Sequence, residues 1–350
     1  MKQIELINKL KEDRILTESE FAFLIETRNE VIADYLFSRA IELQKEYYGN
    51  SVYIRGLIEI SSYCRNNCYY CGIRASNTNA KRYRINKDQI LQCCDYGYKA
   101  GFRTFVLQGG EDVSFNTDVV VDLVSTIRQK YPDCAITLSL GEYSYDDYKK
   151  MFKAGANRYL LRHETADSNH YSKLHPTSMS LKKRMECIYA LKEIGFQTGT
   201  GFMVGSPYQT PQTLAKDLLF IRKLEPGMVG IGPFIPHHET PFAKEKGGTL
   251  ELTLFMIGLL RVMLPNLLLP ATTALGSIVD GGRERGILSG ANVIMPNLSP
   301  VDVREKYMIY DNKLISGVEA AENLEELKRS MKKIGYEIVI DRGDMKELKD

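Results

Sequence analysis

The sequence predicts an α/β fold, a complete (β/α)8 TIM-like barrel with an N-terminal helical extension and a short C-terminal tail. Eight short β-rich runs follow one another after residue 50, and helix-length amphipathic segments separate them. No low-complexity stretch or linker divides the chain. Strands alternating with crossover helices build a parallel sheet, and eight such units are enough to close it. An open Rossmann-like sheet competes, but no G-x-G-x-x-G follows the first strand. A length of 350 residues is ordinary for a barrel with additions.

Residues 1–50 form the predicted helical extension, where Thr17 and Glu20 make a capping box ahead of "FAFLIE". Residues 51–317 form the predicted barrel. Its strands are expected in "VYIRGLIEIS" (52–61), "TFVLQ" (104–108), "AITLSL" (135–140) and "RYLLRH" (158–163). The others are "TGTGFMVG" (198–205), "MVGIGPFI" (228–235), "LLLPATTAL" (267–275) and "NVIMPN" (292–297). Intervening patterns such as "NKDQILQCCDYGYKAG" read as amphipathic helices stopped by glycine. The run from 252 to 270 is apolar enough to raise a membrane span, but Arg261 and two prolines interrupt it. A buried helix running into a buried strand is the reading adopted. Residues 318–350 are a predicted tail of one helix and one short strand.

The bulk numbers narrow the function. A net charge of +2 with no Lys/Arg cluster gives no footprint for nucleic acid. The N-terminal stretch carries charges throughout and lacks the apolar core of a secretion signal. Seven cysteines, an odd number, read as reduced thiols of a cytoplasmic protein with no membrane partner.

In such a barrel the chemistry sits at the C-terminal ends of the strands. "YCRNNCYYCG" follows the first strand directly, so Cys64, Cys68 and Cys71 lie on that face with C-x3-C-x2-C spacing. A structural zinc site wants four ligands, and no second CxxC exists. A disulfide would use two of the three thiols and suits another compartment. Three thiolates can instead hold a [4Fe–4S] cluster with one iron left open.

C-x3-C-x-aromatic-C after the first barrel strand resembles the radical S-adenosylmethionine (SAM) superfamily. The resemblance implies that SAM chelates the open iron and is cleaved reductively to methionine and a 5′-deoxyadenosyl radical. It places Tyr70 against the adenine. "LQGGED" (107–112) is similar to the superfamily's GGE element, whose backbone and Glu111 receive the SAM amino group. Gln108, Gly109, Gly110 and Ser139 join the implied cofactor-binding set. "TGTGFMVG" resembles the glycine-rich strand beneath SAM.

From about residue 55 to 315 the runs "RNNCYYCGIR", "TLSLGE", "RYLLRHETA", "MVGIGPFIPH", "PATTALGSIV" and "YMIYDNK" resemble the HydE family of [FeFe]-hydrogenase maturases. Biotin synthase and the methylornithine synthase PylB are related subgroups. Arg158, Arg162 and Glu164 alternate along strand four and so share a face, while Arg184 on the next helix suits a carboxylate. The resemblance assigns Glu164 and Arg184 to polar groups of SAM and Met228 to its adenine. Arg158, Arg162, Thr137, Thr272 and Thr273 are expected to form an anion site, with Tyr307 and Tyr310 closing the cavity. His163 points the other way and reads as structural.

The family resemblance implies a small iron–cysteine substrate carrying CO and cyanide, other maturases as partners, and a one-electron donor. Some members carry a second cluster near the C-terminus, but "DNKLISGVEAAENLEELK" has no cysteine, so none is expected here. Cys93, Cys94, Cys134 and Cys187 fall on helices or at the wrong end of a strand, which disfavours a biotin-synthase-like internal cluster. A PylB-like mutase of a small amino acid remains open, as does a non-catalytic iron–sulfur carrier. The second would not need GGE or the Glu164–Arg184 pair.

Overall fold

The computed structural model describes residues 2–348. Three helices come first: α1 (Lys2–Asp13), α2 (Glu18–Glu26) and α3 (Glu30–Tyr48). The Thr17–Glu20 capping box is formed in both directions. α2 packs on the later helix α9 (Pro211–Leu224), and α3 packs on α10 (Leu250–Met263).

The wall follows in units of strand and helix. β1 (Ser51–Ile54) and β2 (Gly56–Ser61) precede α4 (Lys87–Lys99), and β3 (Thr104–Gly109) precedes α5 (Thr117–Lys130). β4 (Ala135–Ser139) leads to α6 (Tyr145–Lys153), and β5 (Arg158–Leu160) to α7 (Ser168–Leu174) and α8 (Leu181–Ile194). β6 (Gln197–Thr200) and β7 (Met203–Val204) lead to α9, and β8 (Met228–Val229) and β9 (Gly232–Pro233) to α10. The last units hold α11 (Thr273–Ile278), α12 (Gly282–Ile287), β10 (Val293–Ile294) and α13 (Val301–Arg304), before α14 (Leu324–Lys333) and β11 (Glu337–Val339).

All pairings between the described strands are parallel. One sheet runs β2-β3-β4-β5-β6-β8. Bridges from Met228 to Leu268 and from Pro270 to Val293 carry the ring onward, and β10 pairs with β1, which precedes β2. Eight strand positions therefore go round. The predicted first strand is two pieces, because β1 pairs with β10 and β11 while β2 pairs with β3, with Arg55 at the join.

Outward-facing apolar side chains such as Ile58, Ile60, Phe105 and Ile136 pack under the helices, which is where most of the core lies. The 252–270 run is a buried helix ending at Met263, followed by a buried extended segment. Among the described residues no helix is long and apolar enough to cross a membrane. β11 adds to β1, and residues 342–344 then fold under the barrel, where Arg55 and Arg158 meet the Gly343 carbonyl.

Candidate active site

The cysteine loop leaves β2 and is tied down from several sides. The Arg82 guanidinium donates to the carbonyls of Ser62, Ile73, Arg74 and Asn77. Asn77 donates to the Gly72 carbonyl and to Glu239, and Gly72 N–H donates to Ile309 O. Cys64, Cys68 and Cys71 are half-buried free thiols in this frame. Burial pushes the Cys68 thiol up to about 12 and raises Cys64 and Cys71 as well.

Glycines bring the next strand end against this loop. A Cβ on Gly110 would lie 2.2 Å from Tyr63 O and 2.7 Å from Cys64 Cβ. Glu111 in turn crosses over Gly141, where φ is +87° and a Cβ would strike Glu111 Cγ at 1.9 Å. Only glycine serves at either position.

Charged groups converge on Glu111. Arg65 reaches its Oε2 at 3.1 Å. Arg184, buried on α8, pairs through Nε with Glu142 at 2.7 Å and lies 3.9 Å from Glu111. Its Nη1 donates to the Arg162 carbonyl at 3.2 Å. Burial alone would weaken the Arg184 charge, but Glu142, Tyr171 and Glu111 more than compensate. Arg162 Nη2 lies 3.4 Å from Glu164 Oε2, close enough for charge attraction but outside hydrogen-bond geometry. Arg162 Nε and Nη2 and Glu164 Oε2 are buried without a hydrogen-bond partner; Thr137 Oγ1 is too, but Thr137 stands in register with Arg158, lower in the barrel. Buried polar groups are nearly always bonded, so the Arg162 and Glu164 atoms mark a place for polar ligand groups.

Two aromatic groups border the site. The Tyr70 hydroxyl pairs with His175 Nε2 at 3.1 Å, and the His175 ring stacks on Tyr171. Burial holds His175 neutral, its pKa lowered to about 3. Across the mouth, Gln108 Nε2 donates to the Tyr307 hydroxyl at 3.5 Å. Lys313 Nζ donates to the Tyr307 carbonyl and forms a buried ion pair with Glu59 at 2.5 Å, and Asn297 bonds the second Glu59 oxygen. Burial raises the pKa of the half-buried Tyr310 hydroxyl, and Ser277 opposes this through a hydrogen bond. Ser139 ends β4 in register with Gln108.

Not every expected residue joins this group. Arg158 opens β5 and Arg162 lies four residues on, past its end, about 13 Å further along an extended chain. Arg158 lies at the barrel floor, bonded to Thr104, Gln197, the carbonyls of Arg342 and Gly343, and the Asp344 carboxylate at 2.6 Å. It is a floor residue, not part of an anion site with Arg162. The Met228 thioether accepts from Arg55 Nη1 and shares an apolar cluster with Leu160 and Leu268, which ties it to the floor. Thr272 is the residue before α11 and donates to Ile231 O at 3.4 Å. Thr273 begins that helix, and its hydroxyl goes to Glu319 at 2.7 Å. The two threonines therefore do not stand on a strand beside Thr137.

The comparisons with known proteins agree with this geometry. The model of the Radical SAM superfamily matches residues 58–221. The chain is 45% identical over 310 residues to the [FeFe] hydrogenase maturase subunit HydE of Thermotoga maritima, covering 89% of this chain and 88% of that protein. It belongs to the HydE family of radical SAM enzymes. A 3-methylornithine synthase of Methanosarcina acetivorans is 29% identical over 308 residues, 87% of this chain and 86% of that one. Two solved structures share the fold. The methylornithine synthase PylB has a TM-score of 0.80 at 23% identity, covering 95% of this chain and 97% of that chain. The hydrogenase maturase HydG has a TM-score of 0.82 at 21% identity, covering 96% of this chain and 75% of that chain.

Membership in the HydE family implies a [4Fe–4S] cluster and SAM, and the residues fit both. Burial outweighs the nearby Arg82 and Arg184 and keeps the thiols protonated until a metal deprotonates them, and three of them share one tied-down loop. The unpartnered buried charges match a zwitterionic ligand. Reasoning from sequence passed over Glu59, Lys313, Glu142, His175 and Arg55. Period-two alternation from Leu57 was a signal for Glu59, since it puts that carboxylate inside the barrel. Nothing local marks Lys313, 254 positions further on, as its partner.

Proposed function

We propose that this protein acts in assembly of the [FeFe]-hydrogenase active-site cluster. In this reading Cys64, Cys68 and Cys71 hold one [4Fe–4S] cluster and leave an iron open. When bound there, SAM supplies a 5′-deoxyadenosyl radical that attacks the sulfur of a small iron–cysteine precursor bearing CO and cyanide. One observation carries the reading: the loop that bears the three thiols packs through Cys64 on Gly110, and buried polar atoms of Arg162 and Glu164 lack partners.

Each side chain then has a task. Glu111, Glu164 and Arg184 orient the charged groups of SAM, and the backbone at Gly109 and Gly110 lets the ligand approach. Tyr70, fixed by His175, flanks the adenine. Arg162, Gln108, Tyr307 and Tyr310 line the polar upper barrel and hold the anionic precursor. Other maturases and a one-electron donor are the proposed partners, in the cytoplasm, and a second cluster is not part of the reading.

The test is an anaerobic maturation assay. The reconstituted protein receives SAM, reductant, the partner maturases and an apo-[FeFe]-hydrogenase, and hydrogen evolution is recorded with and without it. Hydrogen evolution dependent on both the protein and SAM supports the proposal. A second reading is a PylB-like mutase of a small amino acid, favoured by the 29% identity to a 3-methylornithine synthase over 87% of this chain. SAM cleavage without maturation, together with rearrangement of an amino acid, would replace the first reading with the second.

A further inference from the structure

Behind strand position four, on the helix side of the barrel wall, lies a buried polar set outside the proposed cavity. His163 is fully buried. Its Nδ1 pairs with Thr200 Oγ1 at 2.8 Å, and its ring packs on Phe220 and Phe202. Its Nε2 faces Asp217 Oδ1 at 3.4 Å. Asp217, on α9, is also fully buried, and the same Oδ1 accepts the backbone N–H of Ala166 at 2.5 Å.

Between these anchors stands Glu164, with φ at +64°. A non-glycine residue seldom adopts that conformation, and it persists only where the surroundings impose it. Here they do so from both sides. Glu164 N–H donates to Gly201 O at 3.0 Å, and two residues on Asp217 takes the Ala166 N–H. Asp167 is then tied to Lys216 on the same helix at 2.7 Å. Simple packing does not explain the choice of residues. A buried carboxylate beside a buried imidazole is costly, and His163 Nε2 and Asp217 Oδ2 gain no hydrogen bond for it. What Asp217 provides is an acceptor, on a rigid helix, for a backbone donor just past the strained residue.

We propose that Asp217, supported by His163 and Thr200, is a positioning residue that holds Glu164 in its left-handed conformation and so aims its carboxylate at SAM. The inference rests on the reading of Glu164 as a SAM-binding residue. It makes α9, outside the barrel wall, part of what sets cofactor affinity.

The experiment uses reconstituted holoprotein and SAM itself. Three quantities are measured: the equilibrium dissociation constant of SAM, the change SAM makes in the EPR signal of the reduced cluster, and the thermal midpoint. Glu164→Ala sets the scale. Asp217→Ala is expected to weaken SAM binding about tenfold, the effect of losing one buried hydrogen bond, with the SAM-free cluster signal unchanged. Asp217→Asn keeps the acceptor oxygen and restores affinity. Should Asp217→Ala fail to fold, the isosteric Thr200→Val removes the hydroxyl behind His163 and is expected to weaken SAM binding in the same direction. A lowered thermal midpoint with parental SAM affinity in both Asp217→Ala and Thr200→Val, while Glu164→Ala binds weakly, would overturn the positioning role and leave the site reading intact. Parental affinity in Glu164→Ala would overturn that reading and this inference together.

Discussion

Gly110→Ala adds one methyl group where the cysteine loop and the second strand end meet. The new Cβ would lie 2.2 Å from Tyr63 O, 2.7 Å from Cys64 Cβ and 2.9 Å from Tyr63 C. None of these atoms is the end of a flexible side chain, so the backbone must move. The φ of Gly110 is not positive, so alanine meets no conformational objection and the effect is purely steric. Opening the contact from 2.2 Å to a tolerable 3.0 Å carries the loop about 0.8 Å. Ligand distances at a metal centre tolerate about 0.2 Å, so Cys64 leaves coordinating geometry. Overpacking of this kind costs about 1–3 kcal/mol, which leaves a domain of this size folded. Gly109→Ala is the control, because its Cβ would meet nothing nearer than Ser61 O at 3.4 Å. Iron and labile sulfide per chain after anaerobic reconstitution, with EPR of the reduced protein, read the outcome. Gly110→Ala is expected to lose most of its cluster while Gly109→Ala matches the parent. A Gly110→Ala protein with full iron content and an unaltered spectrum would refute the contact argument.

Three further outcomes are expected. Cys68→Ala loses both the cluster EPR signal and reductive SAM cleavage in a dithionite assay; cleavage surviving in that variant would remove the three-thiolate assignment. Lys313→Met leaves Glu59 buried against an apolar side chain and should cost about 3–5 kcal/mol in denaturant unfolding. Adding Glu59→Leu should recover much of that loss, whereas simple addition of the two costs would deny the ion pair a role. At the floor, burial pushes the Asp344 carboxyl up, but Arg158 and then Arg342 outweigh burial and hold it below the usual carboxylate range. Its stabilisation is therefore complete above the unfolded carboxylate pKa of about 3.9 and is lost as pH falls through the folded value. Asp344→Asn should be less stable than the parent at neutral pH, with the gap closing below about pH 4; a gap independent of pH would separate Asp344 from Arg158.

The parts legible in the sequence were those whose physics is local. The Thr17–Glu20 cap depends on three intervening bonds of one helix turn. The cysteine loop depends on a spacing that lets neighbouring thiols face one centre. Gly-Gly-Glu one strand later shows that the backbone must come close to something. Alternation along strand four assigned one face to Arg158 and Arg162, though the strand itself ends at Leu160.

Height within the barrel was not legible, because period two reports a side and not a level. Which level is cavity and which is floor depends on residues 342–344, which fold under the ring and claim Arg158 and Arg55. The same holds for Thr273, which an apolar run places on a strand and the Glu319 carboxylate draws to a helix start. Glu59 and Lys313 form their buried pair only once the ring has brought the first strand and the segment after the eighth together. By itself the sequence determined the alternating α/β order, the chemistry of the cysteine loop and the family to which it points. The tertiary structure decided which inward-facing groups share a level, because contacts between residues hundreds of positions apart exist only when the chain closes on itself.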